Sequence, residues 1–495
     1  MTDTDAAPDQ GLVAGVVDPH FDRALESGCA PGIAYVVLHQ GEVLHARGIG
    51  RVRVDDNRVP NLQTAFRIAS MTKSFTAATV LSLRDDGRLD LDTPAVQWVP
   101  ELAGGGADSE VITVRHLLTM GAGLLTDDPW GDRQQDLPLA DFRALLARGV
   151  VPVTPPGDRF EYSNTGYAVL GLVISAVTGE PYPDVVRRRV LDPLGLHETS
   201  FTADGHSDLA TGYVRRTDGW HEEPVAAAGA FAPMGGLIST AGDIARWVGL
   251  FQGADLPARV LAPVSLREMQ RTQRLVGGSA PTTAGGPPTV TGYGFGLFEE
   301  LGAGGRSVSH SGGYPGFGSH MRWHPASGLA IVALANGTYA PMSVVGAKAL
   351  ADLVEQLRAR KSTPLPPLAG LAAAVVRVQE WLGAEDPDGV EAVALRELWA
   401  DNVERDLPWE ERVRALQVLR SEFGQLQEVP GSRRRVEAGT EVWTMTGDRE
   451  VIDDVGKRKV VKVTVMVAPH DTSLIQSVTL RAVPDTVPAA SVSLT

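Results

Sequence analysis

Cysteine is almost missing from this chain: Cys29 is the one cysteine among 495 residues. No intrachain disulfide can therefore form. Cys29 follows Gly28 in a predicted turn, and the sequence offers no histidine partner that would activate its thiol. We therefore interpret Cys29 as structural, with a reactive thiol as the alternative.

Positive charge is also in deficit. Lysine and arginine together number 45 against 60 acidic residues, which gives a formal net charge of −15. This balance argues against nucleic acids and anionic membrane surfaces as partners. The composition, 43% hydrophobic and 21% charged, is that of an ordinary globular protein long enough for two or three domains.

Long apolar runs and targeting signals are missing as well. No stretch approaches the roughly 18 consecutive apolar residues of a membrane-spanning helix. The first residues, MTDTDAAPDQGL, are acidic and lack the basic and apolar regions of a signal peptide. We therefore expect a cytoplasmic protein without a membrane partner.

Several familiar catalytic motifs are missing too. The chain has no Gly-x-Ser-x-Gly elbow, no P-loop and no strand-linked Gly-x-Gly-x-x-Gly. His320 and His324 have i, i+4 spacing, but they fall on a predicted strand and lack a His-Glu-x-x-His pattern. We therefore expect neither a metal nor a cofactor.

Lysine is scarce, and its position is informative. Lys73 is the only lysine in the first 347 residues, and it stands three residues after Ser70 in Ser-Met-Thr-Lys. Residues 70–86 predict a buried helix ended by Gly87, so the two side chains share one face. Unlike arginine, a desolvated lysine can lose its proton. The pair is therefore a candidate nucleophile and base, although Ser-x-x-Lys also occurs by chance.

A second candidate cluster is Tyr162-Ser163-Asn164, just before a predicted helix over residues 165–178. A phenolate at Tyr162 is favoured beside a lysine ammonium and can relay protons. The amide of Asn164 can hydrogen-bond both a lysine and a substrate carbonyl. The alternative is a tyrosine that only packs against the helix.

A third candidate cluster is His310-Ser311-Gly312-Gly313, in a predicted strand. Consecutive glycines let a ligand approach a strand edge closely, and the Gly313 N–H is a candidate oxyanion donor together with that of Ser70. The alternative is a histidine with a purely structural role. Asp127 and Asp128 are interpreted as a solvated loop, with substrate contact as the alternative.

The chain order predicts an antiparallel sheet built from both ends of one domain. Residues 33–39 and 42–48 predict a hairpin, the middle of the chain is mostly helical, and residues 277–292 predict a flexible loop. Thr240 to Asp243 resembles a capping box that opens a helix through Phe251. The late strands are predicted at residues 293–299, 318–323 and 329–335.

Domain boundaries follow from composition. Residues 1–360 predict the main domain, the Pro-rich stretch 361–370 a linker, and residues 371–495 a small α+β domain. Amphipathic helices are predicted at 388–403 and 408–424, followed by about three strands, one of which alternates apolar residues through 461, 463, 465 and 467. We expect this domain to be NTF2-like, cystatin-like or a partial barrel.

Taken in order, Ser70-x-x-Lys73, Tyr162-x-Asn164 and His310-x-Gly312 resemble the motifs of the serine β-lactamase and penicillin-binding-protein superfamily. The branch that they most resemble holds class C β-lactamases, family VIII esterases and D-aminopeptidase-like hydrolases. Recurrent segments of that family support the resemblance over about residues 20–355, namely ITVRHLLTMGAGL at 112–124, VLDPLGLHETSF at 190–201, MGGLISTAGDIARW at 234–247 and GYGFGLF at 292–298.

The resemblance implies a fold and a set of roles. The fold is an α/β (α+β), β-lactamase/transpeptidase-like antiparallel sheet flanked by a helical region. Ser70 is the implied nucleophile, Lys73 its base or proton relay, Tyr162 the second acid/base and Asn164 a positioning group. The N–H groups of Ser70 and Gly313 are the implied oxyanion hole, beside Gly312.

Two departures from the family pattern matter. His310 stands where penicillin-recognising members usually carry a lysine, and a neutral histidine removes a charge-assisted hydrogen bond to a substrate carboxylate, worth about 1.5–3 kcal/mol. Met120-Gly121-Ala122-Gly123 replaces a common His-Thr-Ser-Gly, and we interpret that change as structural.

The function expected from these residues is a serine hydrolase of a small ester, amide or peptide-like substrate, acting through an acyl-enzyme. The alternatives are a penicillin-binding-protein-type thioesterase, cyclase or acyltransferase, a β-lactamase or D-Ala-D-Ala peptidase, and a non-catalytic binding protein on the same fold. The C-terminal domain is expected to mediate homo-oligomers or substrate gating. A truncation after Lys361 that leaves kinetics and oligomer mass unchanged contradicts that expectation.

Overall fold

The structure is a computed structural model. The chain divides into two compact units, Met1–Arg360 and Lys361–Thr495. The residues that it describes are 7–105, 109, 111–150, 152–254, 260–279, 289–302, 304–361, 368–437, 439–454 and 456–485. Most of the predicted linker, residues 362–367, therefore lies outside the described residues. No described helix is both long and apolar enough to cross a bilayer.

An eight-stranded antiparallel sheet forms the centre of the first unit, in the order β2-β1-β12-β11-β10-β9-β8-β7. Its strands are β1 Gly32–His39, β2 Glu42–Gly50, β7 Arg274–Ser279, β8 Thr289–Tyr293, β9 Phe298–Gly302, β10 Gly305–Tyr314, β11 Phe317–His324 and β12 Leu329–Ala335. Two-stranded pairs join β3 Ala65–Arg67 to β6 Ile238–Thr240, and β4 Gly212–Arg216 to β5 Gly219–Glu223. The predicted hairpin and the sheet built from both ends of the chain are confirmed.

Two predictions at the far edge of the sheet are wrong. Residues 293–299 are not one strand, because β8 ends at Tyr293 and the chain turns before β9 begins at Phe298. Glycine causes the turn: Gly296 has a φ of +70°, and a Cβ there would lie 2.7 Å from the Lys73 carbonyl oxygen. The stretch 277–292 is not all loop, because β7 and β8 occupy both of its ends, while 280–288 lies outside the described residues.

Helices surround the sheet of the first unit. They are α1 Gln10–Glu26, α2 Thr72–Asp85, α3 Val114–Leu118, α4 Asp128–Gly131, α5 Leu139–Ala147, α6 Asn164–Thr178, α7 Tyr182–Val186, α8 Asp192–Leu194, α9 Ala232–Gly235, α10 Ala241–Gln252, α11 Pro263–Met269 and α12 Met342–Lys361. Short 3₁₀ turns cover Ala69–Met71, Ala95–Gln97 and Pro100–Gly105, and Arg187–Leu191 is a π-helix.

Local signals explain where several helices begin and end. Gly179, with a φ of +77°, terminates α6 at the predicted residue. Thr240 caps α10 by accepting from the Asp243 N–H. The predicted capping box is only half formed, because the Asp243 carboxylate instead accepts from Glu198 N and Thr199 Oγ1.

Alternation along the strands builds two apolar layers. On β1, Ala34, Val36 and Leu38 face the larger core, which also holds α2 and α6. The intervening Ile33, Tyr35 and Val37 face a second core formed with α1 and α12. Both faces of β1 are therefore buried from Gly32 to Leu38, and one of them shares a core with the helices that carry the candidate site.

Over its described residues, 368–437, 439–454 and 456–485, the second unit contains four helices and one sheet. The helices are α13 Ala369–Gly383, α14 Val390–Arg396, α15 Val403–Asp406 and α16 Trp409–Phe423, and the strands are β13 Gln427–Glu428, β14 Arg434–Glu437, β15 Thr440–Thr446, β16 Lys459–Val467 and β17 Ile475–Pro484. The sheet runs β13-β15-β16-β17, with β14 also paired to β15. The predicted alternation through 461, 463, 465 and 467 is confirmed, since all four side chains are buried.

The predicted helices of the second unit need correction. The stretch 388–403 contains one short helix, α14, and only the first residue of α15, and α13 was not predicted at all. The many alanines of α13 make its amphipathic pattern weak in the sequence. In the structure, Leu371, Val375, Val378 and Leu382 are buried at helical spacing. The helix predicted at 408–424 is confirmed as α16.

Candidate active site

Ser70 and Lys73 lie at the start of α2, where the chain turns sharply. Ser70 belongs to the 3₁₀ turn Ala69–Met71, and Lys73 to the first turn of the α-helix. Ala69, just before the serine, has a φ of +47°, which is disfavoured for a residue with a side chain. Ser70 is 8% exposed and Lys73 is fully buried. The turn therefore leaves the serine slightly exposed next to a fully buried lysine.

All three donor positions of the Lys73 ammonium are used. Its Nζ lies 2.9 Å from Ser70 Oγ, 2.7 Å from Asn164 Oδ1 and 2.9 Å from the Met234 carbonyl oxygen. A lysine has three N–H donors and no acceptor while protonated. Once deprotonated, it can accept the hydroxyl proton of Ser70 through the same contact.

Burial makes that deprotonation accessible. It lowers the pKa of Lys73 from its usual value to about 8, against the opposing effect of Asp128, Asp132 and Asp127. A fully solvated amine would hold its proton more than two units higher. The site therefore contains an amine that titrates close to neutral pH.

Asn164 is held in place by two carboxylates from another part of the chain. Its Nδ2 donates to Asp128 Oδ1 at 2.8 Å, and its backbone N–H donates to Asp127 Oδ1 at 2.7 Å. Asp127 also accepts from the backbone N–H and the hydroxyl of Thr165. Asp127 is half-buried and Asp128 is exposed, so the predicted solvated loop is present, but both carboxylates also have partners on α6. These carboxylates cap α6 and orient the amide that binds Lys73.

We expect Asp127→Ala to lower the free energy of unfolding by about 1–3 kcal/mol, because two buried N–H groups and a hydroxyl lose their acceptor. The measurement is urea denaturation followed by circular dichroism. Asp141→Ala is the matched control, since Asp141 is an exposed acid in the first turn of α5. Its effect is expected to stay within about 0.5 kcal/mol. Equal effects for the two variants would contradict the capping role.

The Tyr162 ring covers the lysine. Lys73 Nζ lies 4.9 Å from the centroid of that ring and 5.7 Å from the Tyr167 ring. Burial, with the charge of Asp128 adding to it, raises the pKa of Tyr162 well above its usual value, although a hydrogen bond with Ser70 opposes the shift. The expected phenolate is therefore wrong for the resting site. Tyr162 is a neutral phenol that can donate a proton.

His310 lies on β10 and is 1% exposed. Its Nδ1 lies 2.7 Å from the Ser311 carbonyl oxygen, which assigns the ring proton to Nδ1 and leaves Nε2 to accept from the Tyr293 hydroxyl at 3.3 Å. Burial and the charge of Lys73 lower the pKa of His310 to about 3. The ring is therefore neutral and provides no cation for a carboxylate.

The two glycines after Ser311 permit close approach of β10 to the serine turn. A Cβ on Gly312 would lie 2.2 Å from the Ile68 carbonyl oxygen and 2.3 Å from Ser319 Oγ. A Cβ on Gly313 would lie 2.7 Å from the Tyr339 ring. The structure thus brings the third cluster against the residues that carry Ser70.

Sequence reasoning missed two residues of this site. Asp132 is 4% exposed and accepts a hydrogen bond from the Tyr339 hydroxyl at 2.8 Å. Met234, the third partner of Lys73, contributes a backbone carbonyl in a segment that was noted only for its resemblance. No local pattern marks either residue, because each contact joins segments far apart in the chain.

The remaining candidate residues, His320, His324 and Cys29, have surroundings that fit a structural role. His320 Nδ1 contacts Ser311 Oγ, and His324 contacts Ser327 and the Gly304 carbonyl. No metal-binding group of His, Cys, Asp and Glu occurs among the residues described. Burial raises the pKa of Cys29, which does not favour a reactive thiolate.

Comparisons with known proteins show the family of this chain. The family model described as Beta-lactamase matches residues 17–356. Protein Rv1367c of Mycobacterium tuberculosis is 33% identical over 302 residues, covering 55% of this chain and 75% of that protein.

Two solved structures share the fold. The octameric penicillin-binding protein homologue from Pyrococcus abyssi has a TM-score of 0.60 at 21% identity, and the match covers 94% of this chain and 98% of that one. EstCE1, a hydrolase with promiscuous acyltransferase activity, has a TM-score of 0.58 at 23% identity, covering 70% and 99%. The β-lactamase/transpeptidase-like fold expected from the motifs is thereby confirmed.

Proposed function

Because this chain belongs to the beta-lactamase family of serine hydrolases, we propose that it cleaves a small ester, amide or peptide-like substrate through an acyl-enzyme on Ser70. The observation that carries the proposal is the 2.9 Å contact between Ser70 Oγ and a lysine amine whose pKa burial lowers to about 8. Such a pair can generate the serine alkoxide near neutral pH.

The roles of the side chains follow from their protonation states. Deprotonated Lys73 accepts the Ser70 proton as the hydroxyl attacks the carbonyl. Neutral Tyr162 donates a proton to the leaving group, and water then attacks the acyl-enzyme in the reverse sense. Asn164 is oriented by Asp128. Its amide accepts from Lys73 and hydrogen-bonds the substrate carbonyl.

The oxyanion hole is formed by the backbone N–H groups of Ser70 and Gly313. Close packing of Gly312 against Ile68 and Ser319 supports this assignment, because it holds β10 beside the serine turn. His310 orients this strand through its contacts to Ser311 and Tyr293. Two positioned N–H donors are expected to contribute about 10²–10³-fold each.

The neutral state of His310 bears on the substrate. A β-lactamase or D-Ala-D-Ala peptidase must bind a carboxylate, and neutral His310 offers that group no cation. Esters and amides without a carboxylate at this position therefore fit better. An acyltransferase or thioesterase would use the same residues with an amine or alcohol in place of water, and the acyltransferase activity described for EstCE1 makes it the second candidate.

The test is intact-protein mass spectrometry seconds after mixing with a short-chain aryl ester, benzylpenicillin or a peptidyl thioester. We expect an acyl adduct on the wild-type protein with the ester, and none on Ser70→Ala. An adduct only with benzylpenicillin would favour the β-lactam alternative, and one only with the thioester the acyltransferase. No adduct and no turnover with any of the three would contradict the proposal.

A further inference from the structure

A buried carboxylate that interacts electrostatically with Lys73 has a partner that reaches the surface. Asp132 follows α4 and is 4% exposed. Its Oδ2 accepts from the hydroxyl of Tyr339, whose side chain belongs to a residue that is 50% exposed. The pair therefore links an exposed aromatic side chain to a carboxylate that is shielded from water.

Tyr339 is fixed in an unusual conformation. Its φ is +50°, in the left-handed region that residues with a side chain disfavour. The backbone N–H lies 3.2 Å from the Phe317 carbonyl oxygen, and the ring occupies the space that a Cβ on Gly313 would need. A disfavoured conformation persists where the surroundings over-determine it, and such positions cluster at functional sites.

The charges around this ring are mostly negative. The charged groups that act on the Tyr339 hydroxyl are two carboxylates, those of Asp132 and Asp128, and one cation, Arg133. Two arginines could balance this negative charge. Arg133 is already paired with Glu223, and Arg67 is buried, with 1% of its surface exposed. With His310 neutral as well, the surroundings of Tyr339 are expected to repel a carboxylate of the substrate.

We propose that Tyr339, backed by the charge of Asp132, forms a subsite that favours substrates with an alkylammonium group and disfavours substrates with a carboxylate. The inference rests on the proposed function and names the substrate class of the same site. An aromatic face attracts an ammonium group, and the Asp132 carboxylate that accepts from the Tyr339 hydroxyl adds to that attraction. Tyr339 contacts the substrate, and Asp132 acts through it as a positioning residue.

The experiment compares three p-nitrophenyl esters that differ in one terminal group. They are the 4-(trimethylammonio)butyrate, its neutral carbon isostere 5,5-dimethylhexanoate, and the anionic hydrogen glutarate. We expect kcat/KM to fall in that order, with the ammonium ester favoured over its isostere by on the order of tenfold at pH 8. Asp132→Asn keeps an acceptor for the tyrosine hydroxyl, and it is expected to bring this ratio close to one.

A pH profile separates an electrostatic role from a structural one. The titratable groups that interact with Asp132 are Lys73, Asp127, Asp128, Tyr162, Tyr314 and Tyr339. Burial raises the pKa of Asp132 to about 6, and the Tyr339 hydrogen bond opposes the rise. Protonation removes the negative charge of Asp132. The ratio of kcat/KM for the ammonium ester to that for its neutral isostere should therefore approach one as the pH falls through about 6. In Tyr339→Phe the preference should fade at a higher pH, because the carboxylate loses its donor.

The outcomes are distinct. Asp184→Asn, which changes an exposed carboxylate paired with Arg187, is the control and should keep the wild-type ratio. Equal kcat/KM values for the three esters, or an unchanged ratio in Asp132→Asn with a folded protein by circular dichroism, would overturn the subsite. Absence of Ser70-dependent turnover with all three esters would instead overturn the proposed function.

Discussion

Replacing Lys73 by methionine is expected to lower kcat/KM for a short-chain aryl ester by about 10²–10⁴-fold, the range typical of a general base. Methionine fills a similar volume but cannot accept the Ser70 proton. Lys73→Arg should lose as much, because a guanidinium stays protonated at any pH of the assay. Steady-state kinetics on both variants, with circular dichroism to confirm folding, is the measurement.

The activity is expected to rise with pH, because Lys73 acts as a base only when it is deprotonated. Because burial lowers the pKa of Lys73 to about 8, the deprotonated fraction increases as the pH rises through that value. The kcat/KM of the wild type should therefore climb between about pH 7 and 9, while residual activity of Lys73→Met should lack this limb. Ser70→Ala should reach a similar floor, and the double variant should be no worse, since residues that act as a unit are not additive. A Lys73→Met variant with near-wild-type turnover would exclude Lys73 as the base.

Adding one methyl group at Gly312 is expected to damage both activity and stability. The new Cβ would stand 2.2 Å from the Ile68 carbonyl oxygen and 2.9 Å from Ala69 Cβ, so the strand or the serine turn must shift. We expect Gly312→Ala to lower kcat/KM by at least about 10²-fold, since a displaced oxyanion donor costs that much. The free energy of unfolding should fall by about 1–3 kcal/mol. Ester kinetics and urea denaturation measure the two effects.

Gly277 supplies the matched control for Gly312. It lies on β7 of the same sheet, and a Cβ there meets nothing within 4 Å. Gly277→Ala should therefore leave kcat/KM and stability nearly unchanged. If both alanine variants behaved like the wild type, the close approach of β10 to the serine turn would have no role in catalysis.

The sequence could predict the parts of the site in which residues a few positions apart lie on the same helix or strand. Ser70 and Lys73 share a helical face because they are three residues apart, and Asn164 begins a helix with clear start and stop signals. The strands of the large sheet are similarly local, since each is an apolar run bounded by turn residues. These features depend on near neighbours in the chain, so a single sequence contains them.

The rest of the site depends on contacts between distant segments. Asp127 caps a helix that begins 37 residues later, and Tyr339 reaches back 207 residues to Asp132. No periodicity marks such pairs, and an acidic loop has the same composition whether it is solvated or capping. The protonation state of Tyr162 was mispredicted for a related reason, because burial sets it and burial is known only once the fold is.

The pairing of β1 with β12 has a consequence for how the chain is made. Ile33 lies opposite Ala335, so the centre of the sheet joins residues about 300 positions apart. At a synthesis rate of about 5–20 residues per second, β1 waits roughly 15–60 s for its neighbour. During that time an apolar strand has one unpaired edge on the ribosome, where it can pair wrongly with another nascent chain. Chaperone occupancy of the β1–β2 hairpin during translation is therefore an expected feature of this protein's biogenesis.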